Sequence, residues 1–176
     1  MKLTLSVTTM SMVLLVVFTS FSLAQTTKLT DPEIAHIAVT ANQIDIDYAA
    51  VAKEKSKNAE VLKFAETMTN DHKAIIAQAV ELVTKLNVTP KDNAVSKKLM
   101  ADAEITKKTL HSKSGKAFDK AYIDNEVAYH KAVISTVEGT LIPSCENQEL
   151  KALLEKVVPA LKTHLGHAEM IQKNHK

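Results

Sequence analysis

From position 30 onward, apolar residues recur every three or four positions through almost the whole chain. That period predicts amphipathic helices. Ile34, Ile37, Ala41, Ile44, Tyr48 and Val51 form the first stripe. Thr30 and Glu33 have the spacing of a capping box, and Pro32 is tolerated in a first turn, so a helix is predicted over 31–55. Asn58 is a natural N-cap for a second helix over 59–87, with stripe Val61, Ala65, Met68, Ile75, Ala79, Leu82 and Leu86. Pro90 forbids its continuation. A weaker stripe of Val95, Leu99, Ala103 and Leu110 predicts a shorter connecting helix over 93–111, and Gly115 marks the next boundary. Phe118, Tyr122, Val127, His130, Ile134, Val137 and Leu141 predict a helix over 116–141, ended by Pro143. Ser144 is a candidate cap for a last helix over 146–173. Its stripe is Leu150, Leu154, Val157, Leu161, His164, Leu165, Ala168 and Ile171, and a kink is expected at Pro159.

Four long helices, two short turns and one long crossover define a specific expectation. It is an all-α, ferritin-like four-helix bundle, with a short extra helix in the crossover between the second and third long helices. No alternating strand-like run, Gly-rich phosphate loop or internal repeat is evident.

The first 24 residues break the pattern. A single Lys2 precedes an apolar run centred on Met12 to Phe18, and Ser22-Leu23-Ala24 supplies small residues for cleavage. These features predict a cleaved secretory signal peptide over 1–24. The apolar run falls short of the ~20 residues that span a bilayer. A polar tail over 25–30 and one domain over 31–174 follow, so export to the periplasm or outer-membrane surface is expected.

Composition narrows the functions. The net charge is +2, every cation is lysine, and Trp is absent. Arg is the preferred residue for forked phosphate recognition, so no nucleic-acid footprint is present. No second apolar run is long enough to span a membrane, so the mature chain is expected to be soluble or peripherally attached, with a component of the cell envelope as its candidate partner. The one cysteine, Cys145, forms no internal disulfide. Its place near a helix start would favour thiolate. The lysines of 97–116 read as a solvated face.

Each long helix carries a metal-ligand type of residue on its apolar stripe: Asp45, His72, His130 and His164, with Glu126 one turn from His130. Imidazole and carboxylate together suit a transition metal such as Zn, Cu or Fe. At 1.5 Å per residue, Asp45 and His72 lie ~15 and ~20 Å from their shared turn, within one helical turn of each other. His130 and His164 match less well, at ~17 and ~27 Å from theirs. The residues three before the stripe histidines are Thr69, Val127 and Leu161, so the Glu-x-x-His pairs of di-iron bundles are missing. A single mononuclear, His-rich ion is the expectation. The alternative is a non-enzymatic structural or interaction protein whose core histidines bond to a backbone carbonyl or to Asp45, Tyr48, Tyr122 or Tyr129. Asp71 points about 100° away from His72 and reads as a solvent or helix-pair residue. His36, His111 and His175 read as surface, and His167 as flanking the face of His164. No nucleophile–base pair is legible, so no enzyme activity is expected.

Three blocks carry a resemblance. Phe64, Ala65, Met68, Asp71 and His72 match Phe-Ala-x-x-Met-x-x-Asp-His. Phe118, Asp119 and Tyr122 match Phe-Asp-x-x-Tyr, followed by His130. Pro159, Leu161, His164 and Leu165 match Pro-x-Leu-x-x-His-Leu. In these blocks the chain resembles the exported bacterial ferritin-like domains of unknown function, often labelled predicted outer-membrane proteins. The resemblance spans about 31–173 and implies a bundle fold and export. It implies no activity. Where that family usually has Glu, this chain has Asp45, one methylene shorter.

Overall fold

The computed structural model describes residues 28–174. The predicted leader 1–24, the start of the polar tail and His175 lie outside the described residues. Every regular element described is helical: α1 Asp31–Lys55, α2 Ala59–Lys85, α3 Ala94–His111, α4 Gly115–Thr136, a wide π-turn Val137–Leu141, α5 Ile142–Ser144 and α6 Gln148–Asn174. α1 packs chiefly on α2, and α4 on α6. α2 meets α6, while α3 lies against α1.

The helix starts follow local chemistry. Thr30 donates its backbone N–H and its hydroxyl to the Glu33 carboxylate, at 3.0 and 2.8 Å. The Asn58 side chain accepts from the backbone of Glu60 and Val61, and that of Asn93 from Val95 and Ser96. Gly115, at φ +54, makes the turn into α4, where a side chain would be strained.

Several ends differ from the sequence expectation. α2 stops before Pro90 acts. Asn87 takes the left-handed conformation, φ 50, and the Val88 N–H donates to the Val83 carbonyl at 2.9 Å. That closure satisfies the last turn. Pro143 does not end the third long helix at 141, because the helical path continues through the π-turn to Ser144. Ser144 does not cap α6. Asn147 does, accepting from the Glu149 and Leu150 N–H groups at 3.0 Å each. α6 runs through Pro159 unbroken. Val95 is exposed rather than packed, so α3 rests on Ala103 and Leu110, with Leu99 half-buried. The tail's end is docked, with Leu29 against the core and Lys28 paired to Glu146 at 2.8 Å.

Three long-range hydrogen bonds set the bundle's ends. The Asp31 carboxylate at the start of α1 accepts from the Glu146 and Asn147 backbone just before α6, both at 2.9 Å. At the opposite end, the Ser56 hydroxyl donates to Asp119 of α4 at 2.6 Å. α1 and α6 therefore run in the same direction. Residues at similar depth from these starts, such as Asp45 and His164, are brought to the same level.

The buried side chains fall into two clusters. One, toward the Ser56–Asp119 end, holds Tyr48, Phe64, Met68, Phe118 and Tyr122. The other, toward the Asp31–Asn147 end, is aliphatic: Ile34, Ile37, Val83, Leu141, Leu150 and Leu154 among others. Between them lies a buried polar layer.

Candidate metal centre

All five residues singled out in the sequence meet in that layer. Asp45, His72, Glu126, His130 and His164 are each at most 4 % exposed. The three imidazole rings face one another, with centroids 5.3 to 5.9 Å apart. The depth mismatch on the α4–α6 side is resolved by the helical path that continues to Ser144. Counted from there, His130 is ~21 Å down, and His164 is ~24 Å below the start of α6.

Hydrogen bonds orient each ring. The Asn42 amide N–H donates to the Ala38 carbonyl at 2.8 Å, which turns Asn42 Oδ1 toward His72. His72 Nδ1 lies 2.7 Å from that oxygen and must donate to it. His130 Nδ1 donates to the Glu126 carbonyl at 2.9 Å. His164 Nε2 donates to the Asp71 carboxylate at 2.9 Å. Each ring thus spends its N–H outward. The remaining nitrogens, His72 Nε2, His130 Nε2 and His164 Nδ1, are buried without a partner. One ligand atom from each of these three histidines falls within 4.8 Å of the other two.

The carboxylates are equally unsatisfied. Both oxygens of Asp45 and both of Glu126 lack a hydrogen bond, as does the Tyr122 hydroxyl. Asp45 Oδ2 lies 3.3 Å from His72 Nε2 and 3.5 Å from His130 Nε2 without forming an aligned hydrogen bond to either. Asp45, Glu126 and His130 form a second group whose ligand atoms lie within 4.8 Å of one another. Buried polar atoms are nearly always paired, so this concentration of orphans calls for an explanation.

Electrostatics follow from the burial. Loss of solvent pushes the Asp45 carboxyl up to about 8. It raises Glu126 well above the usual carboxylate range, with the neighbouring Asp45 adding to the rise. Burial holds His72 down to about 3, reinforced by the other two histidines. It holds His130 down to about 4, against the pull of its bond to the Glu126 carbonyl. Without an added cation the layer favours neutral His72 and His130 and neutral carboxyls. A cation reverses the preference of the carboxyls.

A domain of unknown function, DUF4142, matches residues 19–171. The chain belongs to that family. No curated protein matches this DUF4142 chain. Two solved structures share its fold. A DUF305 protein from Streptomyces coelicolor, titled a "putative secreted protein", superposes with TM-score 0.68 at 11 % identity, over 81 % of this chain and 91 % of that one. CopM in its Cu(II)-bound form superposes with TM-score 0.61 at 18 % identity, over 83 % and 98 %. At such identity the likeness is one of fold.

The remaining side chains meet their sequence expectations unevenly. Asp71, half exposed, takes the helix-pair role expected of it: it reaches from α2 to α6 and orients His164. Asn42, which orients His72, was unmarked, although it sits one turn before Asp45 on the stripe side of α1. The tyrosines do not serve as the partners suggested: Tyr129 donates to the Ala41 carbonyl at 2.9 Å, and Tyr122 has no partner. Cys145 is buried, and burial pushes its thiol up to about 11, so a reactive thiolate is disfavoured. His167 packs edge-on against Phe64, outside the cluster. His36 is half-buried beside Thr40, and His111 is exposed.

Proposed function

We propose that this chain is an exported envelope protein with a ferritin-like bundle that binds one divalent transition-metal ion in its core. His72, His130 and His164 supply the nitrogens, Asp45 the fourth ligand, and Glu126 the balancing charge. Copper is the favoured ion.

The observation that carries this reading is the convergence of three partnerless imidazole nitrogens, each on a ring whose other nitrogen is already engaged. Metal-bound histidines have this arrangement, in which an outer acceptor fixes the tautomer and orients the ring. A structural core histidine needs no inward lone pair. The spacing of Asp45 also fits. Neighbouring ligands at ~2.0–2.1 Å from one ion lie about 2.9 Å apart in a tetragonal site and about 3.3 Å apart in a tetrahedral one. Asp45 Oδ2 is 3.3 and 3.5 Å from two of the nitrogens.

Charge selects the valence. Two buried carboxylates carry −2 when ionised and three neutral imidazoles carry none, so a divalent ion brings the layer to zero. Buried charge is tolerated only when balanced in this way. Among divalent ions, imidazole-rich sites hold Cu(II) most tightly. The copper-bound state of CopM, a protein of the same fold, agrees with that choice. Export is supported by the leader-like segment 1–24 and by the description of the DUF305 neighbour.

The test is metal content and titration of the 25–176 chain, purified without chelator or affinity tag. About one equivalent of Cu(II) is expected, held more tightly than Zn or Fe(II) and lost in His72→Ala/His164→Ala. No binding by the native chain would return the histidines to a structural role and move the search for function to the surface.

A further inference from the structure

The polar layer does not close the core. A cavity of about 340 Å³ opens from it toward the Asp31–Asn147 end of the bundle. On two helices its wall runs the same distance from the cluster: Val83 is eleven residues beyond His72 and Leu141 eleven beyond His130, each roughly 17 Å of helix rise. On α6 it runs from Leu150 to Leu161, about one turn short of His164. Apart from Thr136, the polar side chains in the wall gather at the histidine end, among them Asn42, Asp45, His72, Tyr129 and His130. The rest is aliphatic. Ala128 and Ala132 line the cavity and are themselves exposed, which places a mouth along α4.

A void of this kind is costly to keep empty, because its walls forgo their packing contacts. Beyond its histidine end the wall is too apolar for ordered water, and the whole cavity is more than twice the size of an engineered one of about 150 Å³ that stays dry and binds benzene. It lies within the ordinary range of ligand pockets. A narrow apolar passage with polar groups at one end selects a straight aliphatic chain with an oxygen-bearing head.

We infer that this cavity is a binding site for one long-chain amphiphile of the fatty-acid type, its chain along the aliphatic wall and its head at Asp45, His72 and His130. Only the contact between the head and a bound ion rests on the metal reading above. Chain binding depends on the apolar wall alone.

The test uses the 25–176 chain with a fluorescent polyene fatty acid, cis-parinaric acid, displaced by dodecanoate or dodecanol. One saturable site per chain is expected. Ala79 is buried in the aliphatic part of the wall, and Ala132 is at the mouth. Ala79→Phe fills the cavity and Ala132→Phe blocks its entrance. Either should weaken probe binding at least ten-fold, with helicity and metal titration unchanged. If Ala79→Phe fails to fold, Ala132→Phe at its exposed site decides. His72→Ala/His164→Ala should still bind the probe through the wall. Probe binding in a chain that takes no metal would therefore end the metal reading and leave this one standing. Metal binding without saturable probe binding, or probe binding unchanged in the variants that fold, overturns the inference. Bound metal should tighten dodecanoate more than dodecanol; an equal effect would overturn the placement of the head.

Discussion

The two halves of this helical bundle share its long helices and are filled differently. Toward the Ser56–Asp119 end, aromatic rings occupy the interior. Phe64 meets Tyr122 edge-on, Phe118 stacks on Tyr122, and Tyr48 meets Tyr129 edge-on. Phe64, Phe118 and Tyr122 are all fully buried. Toward the other end the buried cluster has no aromatic ring among the described residues, only Ile, Val, Leu, Ala and Cys145. Large rings span the distance between helices, whereas short branched chains leave a gap along the axis. The contrast shows how one helical frame can be a closed core at one end and a container at the other, with the polar layer at the junction.

The comparison is broken most directly at a ring. Phe64→Ala removes a fully buried aromatic from the closed half. It should cost about 3–5 kcal/mol, read as a lower midpoint in chemical denaturation.

The junction responds to pH. Asp45 and Glu126 have folded values raised above their unfolded ones, so the native state keeps protons that the unfolded chain loses above about pH 4. Their contribution declines as pH rises, through about 8 for Asp45. His72 and His130 are lowered to about 3 and about 4, so their contribution is complete above the unfolded value near 6.5 and falls on acidification below it. Between about pH 4 and 6.5 the two trends oppose. Above 6.5 only the carboxyls act. Melts of the metal-free chain should show a loss on the order of 2–4 kcal/mol between pH 6.5 and 8, at ~1.4 kcal/mol per unit for each carboxyl. With Cu(II) bound the ion replaces the carboxyl protons, and the loss should vanish.

In the open half, Leu154→Ala enlarges a space that already exists. Its cost should fall near 2–3 kcal/mol, toward the lower end for such truncations and below that of Phe64→Ala in the same denaturation series. An equal cost would mean that the two halves are packed alike.

The smallest effect is expected from Asp71→Ala. It frees the His164 ring while leaving all five cluster side chains in place, and Asp71 is half exposed. Competition titration should show about a ten-fold loss of copper affinity with stability nearly unchanged.

The sequence by itself determined the helices, because their apolar period, caps and breakers act within a few residues. Thr30 with Glu33, Asn58 and the stripes from Ile34 to Ile171 needed no tertiary context. It also marked Asp45, His72, Glu126, His130 and His164, since a polar group on an apolar stripe is conspicuous whatever lies across from it. It misplaced the helix ends at 141 and 144, where the π-turn and the Asp31 contacts to Glu146 and Asn147 depend on distant residues.

Only the tertiary structure decided which nitrogen of each histidine faces inward. That choice rests on acceptors brought by packing: Asn42 from α1 for His72, and Asp71 from α2 for His164. The cavity was equally out of reach. Aliphatic residues in a stripe predict burial, but whether four such stripes meet or leave a gap depends on how far apart the helices stand. Residues far apart in the chain, joined at Asp31 and Asn147 and at Ser56 and Asp119, set that distance.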